Sequence, residues 1–133
     1  RRLAPLVTMI VLTGGEPTLQ VDDALINTLK LYQYYIAIET NGSGIIPKGV
    51  DWICISPKSI ARLRTNKADE LKVLYPSNTE PNVYAHFINA EHHYVQPKDN
   101  ENFEQNAKDT LAYVLANTRW KLSAQTHKAL NIE

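Results

Sequence analysis

The 133-residue sequence contains a single cysteine, Cys54. This excludes an intrachain disulfide and any metal site built wholly from cysteines. Long apolar stretches are also missing, because the longest run, 6–12, is interrupted by Thr8 and is too short to span a membrane. Neither sign of charge is in excess, since 14 Lys and Arg residues balance 14 Asp and Glu residues. A neutral chain lacks the broad basic surface of a nucleic-acid-binding protein, so we expect neither nucleic acid nor membrane as a partner.

The beginning of the sequence lacks two further features. It starts with Arg1 instead of a methionine, and no small-residue cleavage site of a signal peptide follows. We therefore expect a fragment of a longer, cytoplasmic protein. The composition that remains, 44% hydrophobic and 21% charged residues, is ordinary for a globular protein and predicts one domain over residues 1–133.

The first half of the chain alternates between strand and helix patterns. Runs rich in β-branched and aromatic residues predict strands over 6–12, 35–40 and 50–56, each followed by Gly or Pro. Between the first two, Leu25, Ile26, Leu29 and Tyr32 recur at helical spacing behind a possible cap at Asp22 or Asp23. This rhythm predicts a parallel α/β fold.

The second half is less regular. A helix is predicted over 101–117, where an apolar stripe recurs, and a last strand over 119–124. The remaining predictions are a short helix, or a helix followed by a strand, over 68–74, short strands over 83–88 and 92–95, and a terminal turn or helix over 126–130.

Polar residues follow the predicted strands where each strand ends. These segments are Thr13-Gly14-Gly15-Glu16-Pro17, Glu39-Thr40-Asn41-Gly42, Ser56-Pro57-Lys58 and Gln96-Pro97-Lys98-Asp99. Because the carboxyl ends of parallel strands meet at one edge of a sheet, we expect the four segments to line a common cleft.

Each segment also has a simpler interpretation. Gly14-Gly15 could be only a tight turn, or it could let a ligand reach the backbone directly. The Gly-Lys-Ser/Thr ending of a phosphate-binding loop is absent. Glu39 could be solvated, or it could accept hydrogen bonds from a ribose diol. Lys58 alone would be a solvated charge.

The histidines and the cysteine predict no catalytic centre by themselves. His92 and His93 are adjacent, so on a strand they face opposite sides and form a poor metal pair. We expect His86 to be exposed or partly buried. His127 lies in a polar patch and, taken alone, is a structural residue. Cys54 lies between Ile53 and Ile55 and is interpreted as a small buried hydrophobe, not a nucleophile.

Taken together and in order, the strand-end segments resemble those of the radical S-adenosylmethionine superfamily. Gly-Gly-Glu-Pro points only to the superfamily. Ser56-Pro57-Lys58 and Gln125-Thr126-His127-Lys128 are similar to segments of the 7-carboxy-7-deazaguanine synthase family. The resemblance runs from residue 6 to the end and implies a partial (β/α) barrel of the radical SAM type, with its N-terminal strands missing and one barrel edge exposed.

The resemblance also implies roles for individual residues. Thr13, His127 and Glu133 would contact a pterin substrate. Glu39 would bind the ribose hydroxyls of S-adenosylmethionine, and Gly15 would contact that cofactor through its backbone. The remaining S-adenosylmethionine contacts would be Gly14, Glu16, Ser56, Pro57, Lys58, Gln96, Pro97, Lys98 and Asp99.

The reaction implied by the family is the conversion of 6-carboxy-5,6,7,8-tetrahydropterin to 7-carboxy-7-deazaguanine and ammonia, a step of queuosine biosynthesis. A [4Fe-4S] cluster, supplied with electrons by an external donor, would cleave S-adenosylmethionine to a 5′-deoxyadenosyl radical that takes a hydrogen atom from the pterin. Magnesium assists in the family, and its members commonly form homodimers.

The sequence departs from this family in its cysteines. Such a cluster needs three thiolates on a loop that precedes Gly-Gly-Glu-Pro, and this chain has only Cys54, far downstream. The family's magnesium-binding threonine is missing too. We therefore expect the C-terminal part of such an enzyme, inactive by itself and without cluster or magnesium. Two alternatives are another radical SAM protein, such as a glycyl-radical activating enzyme, and a non-catalytic S-adenosylmethionine-binding module.

Overall fold

A single parallel sheet organises the part of the chain that the computed structural model describes, residues 7–126 and Ile132. Six strands lie side by side in chain order within it, and every neighbouring pair is parallel. The strands are β1 (Met9–Leu12), β2 (Tyr35–Thr40), β3 (Trp52–Ile55), β4 (Lys67–Tyr75), β5 (Asn89–Pro97) and β6 (Lys121–Leu122).

Three helices pack against this sheet: α1 (Asp23–Leu31), α2 (Pro81–Phe87) and α3 (Phe103–Ala116). Helix α1 contacts β2, α2 contacts β4 and β5, and α3 contacts β4, β5 and β6. Parallel strands that follow one another in one direction, joined by right-handed crossovers, carry their connections on one face of the sheet. The strand order also lacks the reversal of a doubly wound sheet. The predicted parallel α/β fold is confirmed. Within the described residues, none of these helices combines the length and the apolar character needed to cross a membrane.

The hydrophobic core lies between the sheet and the helices. Alternate residues of β3, β4 and β5 point toward α2 and are buried together with Trp120, whose indole Nε1 donates a hydrogen bond of 2.8 Å to Asn82 Oδ1. Burying one such side chain contributes about 1.5–3 kcal/mol. The buried cluster consists of Ile55, Leu71, Val73, Tyr84, Ile88, Val95 and Trp120.

Strand β4 corrects the prediction of a helix in residues 68–74. The segment is one continuous strand, Lys67–Tyr75, paired with β3 and β5. Its Ala-Asp-Glu-Leu-Lys sequence suits a helix, but Leu71 and Val73 are buried while Glu70 and Lys72, which alternate with them, are partly exposed. That two-residue period matches a sheet, and pairing on both sides outweighs the local helix preference.

Helix α2 corrects the prediction of a strand over residues 83–88. Val83, Ala85 and Phe87 alternate in a way that suggested a strand, yet Val83 and Phe87 are exposed. The buried residues are instead Tyr84 and, one helical turn later, Ile88. Pro81 at the first turn suits a helix start, because its missing N–H is not needed there.

The other predicted elements are confirmed, several with shifted ends. Helix α1 begins at a cap in which Asp22 Oδ1 accepts a 2.8 Å hydrogen bond from the backbone N–H of Leu25. Strand β5, predicted over 92–95, extends over Asn89–Pro97, and β6 is shorter than 119–124. The predicted turn or helix over 126–130 lies outside the described residues beyond Thr126.

Candidate functional site at the C-terminal edge of the sheet

The structure brings the four polar segments to one edge of the sheet. They contain or follow the carboxyl ends of β1, β2, β3 and β5, which are all parallel. Backbone hydrogen bonds join two of these ends to their neighbours: Ser56 N–H donates to Thr40 O at 2.7 Å, and Lys98 N–H donates to Tyr75 O at 2.8 Å. The expected cleft-forming segments therefore share an edge, and their contacts with a ligand stay a prediction.

The loop after β1 leaves backbone exposed. Gly14 has φ +127°, which side-chain-bearing residues rarely adopt, so glycine is required there. A Cβ placed on Gly14 or on Gly15 would meet no atom within 4 Å. Both glycines are exposed, so a ligand could approach their backbone, as the functional interpretation of Gly14-Gly15 requires.

Glu16 fixes this loop to the end of β2. Its Oε1 accepts hydrogen bonds from Thr18 Oγ1 at 2.6 Å and from Thr40 Oγ1 at 2.5 Å, and its Oε2 accepts one of 2.8 Å from Asn41 N–H. Burial raises the pKa of the Glu16 carboxyl, but these bonds to the charged form outweigh it and lower the pKa. The Glu16 carboxylate is therefore occupied in holding the loop. The groups of this loop that a ligand could contact are the backbone atoms of Gly14 and Gly15.

The face of the sheet opposite the core carries ionisable side chains. Glu39, Cys54, Glu70 and Lys72 alternate along β2, β3 and β4 with the buried core residues, so they point to the other side, which we call the polar face. Glu39 is paired with Cys54 and Cys54 with Glu70 in the register of the strands. Lys72 Nζ lies 3.0 Å from Glu39 Oε1, and Cys54 Sγ donates a weak hydrogen bond of 3.4 Å to Glu70 Oε1.

The environment of Lys72 stabilises its charge. Burial lowers the pKa of the Lys72 ammonium, but its hydrogen bond to Glu39 and the charges around it raise that pKa by more. Lys72 is 15% exposed, whereas Glu39 is 42% exposed. The charged pair therefore has a largely covered cation and a carboxylate that a ligand can reach.

Cys54 does not fit an iron–sulfur centre. It is 3% exposed, and burial together with the charge of Glu70 raises the pKa of its thiol, which disfavours the thiolate that iron requires. In the described part of the chain, no group of three His, Cys, Asp or Glu residues is placed to hold a metal ion. The interpretation of Cys54 as a small buried residue is confirmed.

The remaining strand-end residues differ in exposure. Pro57 and Pro97 are buried, while Lys58, Lys98 and Asp99 are exposed. Gln96 Oε1 accepts a 3.4 Å hydrogen bond from Ser123 Oγ. A cleft of about 460 Å³ lies at this edge, with Lys58 and Lys98 among its lining residues. The two lysines from separate segments thus reach one space.

Comparison with known proteins finds relatives that share the same name. No family model matches the chain. A 7-carboxy-7-deazaguanine synthase of Caulobacter vibrioides is 42% identical over 93% of the chain, and one of Bradyrhizobium diazoefficiens is 42% identical over 92%. A third, of Bacteroides thetaiotaomicron, is 40% identical over 96% of the chain. The chain belongs to the 7-carboxy-7-deazaguanine synthase family.

The match covers only part of each relative. The chain spans 59% of the length of the first two 7-carboxy-7-deazaguanine synthases and 66% of the third. This fits the expectation of a part of such an enzyme. The predicted family is confirmed by this sequence similarity.

Two residues predicted to contact the substrate of a 7-carboxy-7-deazaguanine synthase, His127 and Glu133, lie outside the described residues. Thr13 is described and exposed, directly after β1. Of the other histidines, His92 stacks on Trp52 with ring centroids 5.5 Å apart, and His93 is buried against Trp120. Their predicted opposite orientation is confirmed, and His86 is exposed as expected.

The sequence did not single out Lys72 and Glu70. Both lie in the segment for which the sequence predicts a helix, and charged residues on a helix are ordinarily solvated. A signal is present, because Glu70 and Lys72 alternate with Leu71 and Val73, the pattern of a strand with one polar face.

Proposed function

We propose that this chain forms the S-adenosylmethionine-binding side of a radical SAM enzyme that converts 6-carboxy-5,6,7,8-tetrahydropterin to 7-carboxy-7-deazaguanine and ammonia. The names of the relatives support the product, and the strand-end segments support the cofactor. In this proposal the sheet is part of a (β/α) barrel whose remaining strands lie outside this chain. The enzyme is cytoplasmic and homodimeric, and an external donor supplies its electrons.

One observation carries the proposal. An exposed glycine pair after β1 and an accessible carboxylate on the next strand, Glu39, lie at the same edge of the sheet. A zwitterionic nucleoside such as S-adenosylmethionine offers complementary groups to both. Its amino group can donate to exposed backbone C=O groups, and its ribose diol can donate to a carboxylate.

Each predicted contact has a task in binding. Glu39 accepts hydrogen bonds from the ribose hydroxyls, Gly14, Gly15 and the Glu16 loop surround the methionyl amino group, and Thr13 contacts the pterin together with His127 and Glu133. Two further segments complete the cofactor site, Ser56-Pro57-Lys58 and Gln96-Pro97-Lys98-Asp99, the latter along the adenosyl group. When bound next to an iron–sulfur cluster, S-adenosylmethionine supplies the radical chemistry. This chain's residues bind and orient the cofactor and exclude water from it.

The iron–sulfur cluster and magnesium do not fit the described residues. Cys54 is the chain's one cysteine and is buried, and one thiol cannot hold a cluster. We therefore assign the cluster and magnesium ligands to the part of the parent enzyme outside this chain and expect the chain alone to be catalytically inactive.

Calorimetric titration of the 133-residue chain with S-adenosylmethionine tests the proposal. We expect saturable binding that Glu39→Gln weakens by about tenfold or more, since a hydrogen bond to a charged group contributes about 1.5–3 kcal/mol. Lys30→Met, which alters a lysine paired with Asp51 elsewhere, is the control and leaves the affinity unchanged. Absence of binding to the folded wild-type chain contradicts the proposal. Reconstitution of the same chain with iron and sulfide should produce no cluster absorption, and a cluster spectrum would contradict the assignment of its ligands elsewhere.

A further inference from the structure

We propose that Lys72 is a positioning residue that holds the Glu39 carboxylate in the orientation that accepts a ribose diol, and that it reaches Glu39 across the small side chain of Cys54. The inference rests on the proposed function, because it specifies how the ribose contact of that site is built. Neither the resemblance nor the relatives' names assign a role to Lys72 or to Cys54.

Lys72 spans a long distance to reach Glu39. Lys72 lies on β4 and Glu39 on β2, with β3 between them. Neighbouring strands are about 4.8 Å apart, so the two backbones are separated by about 10 Å. A lysine and a glutamate side chain together can cover this distance, and their charged atoms meet at 3.0 Å.

A small side chain, that of Cys54, lies on the strand between Lys72 and Glu39. Cys54 is the β3 partner of Glu39 in the strand register, and Lys72 interacts electrostatically with Cys54 as well as with Glu39. A cysteine side chain has one heavy atom beyond Cβ, so it fills little of the space above β3. A branched or aromatic residue there would occupy the path between the ammonium and the carboxylate.

The pair leaves one oxygen of the Glu39 carboxylate available to a ligand. Lys72 bonds to Glu39 Oε1, and Oε2 has no hydrogen-bond partner within residues 7–126. A carboxylate offers about four acceptor positions on its two oxygens, so one lysine still leaves room for both hydroxyls of a diol. With Glu39 42% exposed, this free side of the carboxylate is accessible.

Glu39, Glu70 and Lys72 are the charged side chains of the polar face around Cys54, whose own thiol is kept neutral by burial. Lys72 is attracted by both carboxylates, and its charge offsets one of them. Without the ammonium, the Glu39 side chain would gain rotational freedom, and a ligand would have to order it at an entropic cost.

The test compares two ligands that differ by one ribose hydroxyl, 5′-deoxyadenosine and 2′,5′-dideoxyadenosine. Their dissociation constants for the 133-residue chain are measured from amide chemical shifts in NMR titrations. We expect the wild type to bind 5′-deoxyadenosine about tenfold more tightly, the factor that one hydrogen bond to a charged group supplies. Lys72→Met should reduce this preference to about twofold or less, while the affinity for the dideoxy ligand, which keeps one of the two hydroxyls, falls by a smaller factor than that for 5′-deoxyadenosine. Lys72→Arg should restore the preference, and Lys30→Met should leave it at the wild-type value.

The preference for the 2′-hydroxyl distinguishes a positioning role of Lys72 from a purely structural one. A loosened sheet would lower the affinity for both ligands by the same factor and leave the preference unchanged. Cys54→Leu gives a second route, since it leaves both charges in place and should remove the preference as Lys72→Met does. If the wild type shows the preference and Lys72→Met keeps it, this inference is overturned while the proposed function stands. If the wild type binds neither ligand nor S-adenosylmethionine, the proposed function fails and the inference with it.

Discussion

The two faces of the sheet use the same strands for different purposes. Toward the helices, Ile55, Leu71 and Val73 are buried almost completely and form the core. Toward the other side, Glu70 and Lys72 occupy the alternate positions of the same strand β4 and remain partly exposed. Strand geometry separates them, because successive side chains point in opposite directions. Substitutions on the polar face can thus leave the face that holds the fold together undisturbed.

The largest effect is expected on the helix face. Leu71→Ala removes a side chain with no exposed surface and should lower the free energy of unfolding by about 2–5 kcal/mol, because the surrounding core cannot fill the cavity. Urea denaturation followed by circular dichroism measures the change. Leu31→Ala, at a position 84% exposed, is the matched control and should change stability by about 0.5 kcal/mol or less. Similar losses in the two variants would contradict the division between the faces.

A smaller, pH-dependent effect is expected at His93, a polar residue buried on the helix face. Its Nε2 accepts a 2.9 Å hydrogen bond from the Arg119 guanidinium, so the imidazole is neutral. Burial, and then the positive charge of Arg119, lower the pKa of His93. The unfolded chain therefore takes up a proton at higher pH than the folded chain, and stability should fall as the pH drops below about 6.5.

Thermal unfolding across pH 5–8 measures this dependence. His93→Gln can still accept a hydrogen bond from Arg119 but does not titrate, so the part of the slope due to His93 should disappear. His86→Gln, at an exposed position, is the control and should keep the wild-type slope. An unchanged slope in His93→Gln would show that this histidine does not limit stability in acid.

The sequence predicts the C-terminal edge of the sheet better than it predicts the polar face or α2. The C-terminal edge could be predicted, because Gly, Pro and polar residues mark the ends of β1, β2, β3 and β5, and parallel strands must bring those ends together. The contribution of β4 to the polar face could not be predicted from the sequence. The segment from Ala68 to Lys72 favours a helix locally, and only pairing with β3 and β5 makes it a strand. For α2, the alternation of Val83, Ala85 and Phe87 was misleading, because burial of Tyr84 and Ile88 decides its structure.

The smallest effect on stability is expected on the polar face. Glu39→Gln removes the carboxylate from the pair with Lys72 and should change the free energy of unfolding by about 1 kcal/mol or less, as is usual for an ion pair in which water reaches one partner. The same substitution should lower the pKa of Lys72, because the hydrogen bond and charge that raise it are lost while the burial that lowers it remains. NMR of the lysine side chain across pH measures this pKa, and Glu39→Asp, which keeps the charge, serves as the control. A large loss of stability in Glu39→Gln, or an unchanged Lys72 pKa, would mean that the pair belongs to the fold and not to a surface prepared for a ligand.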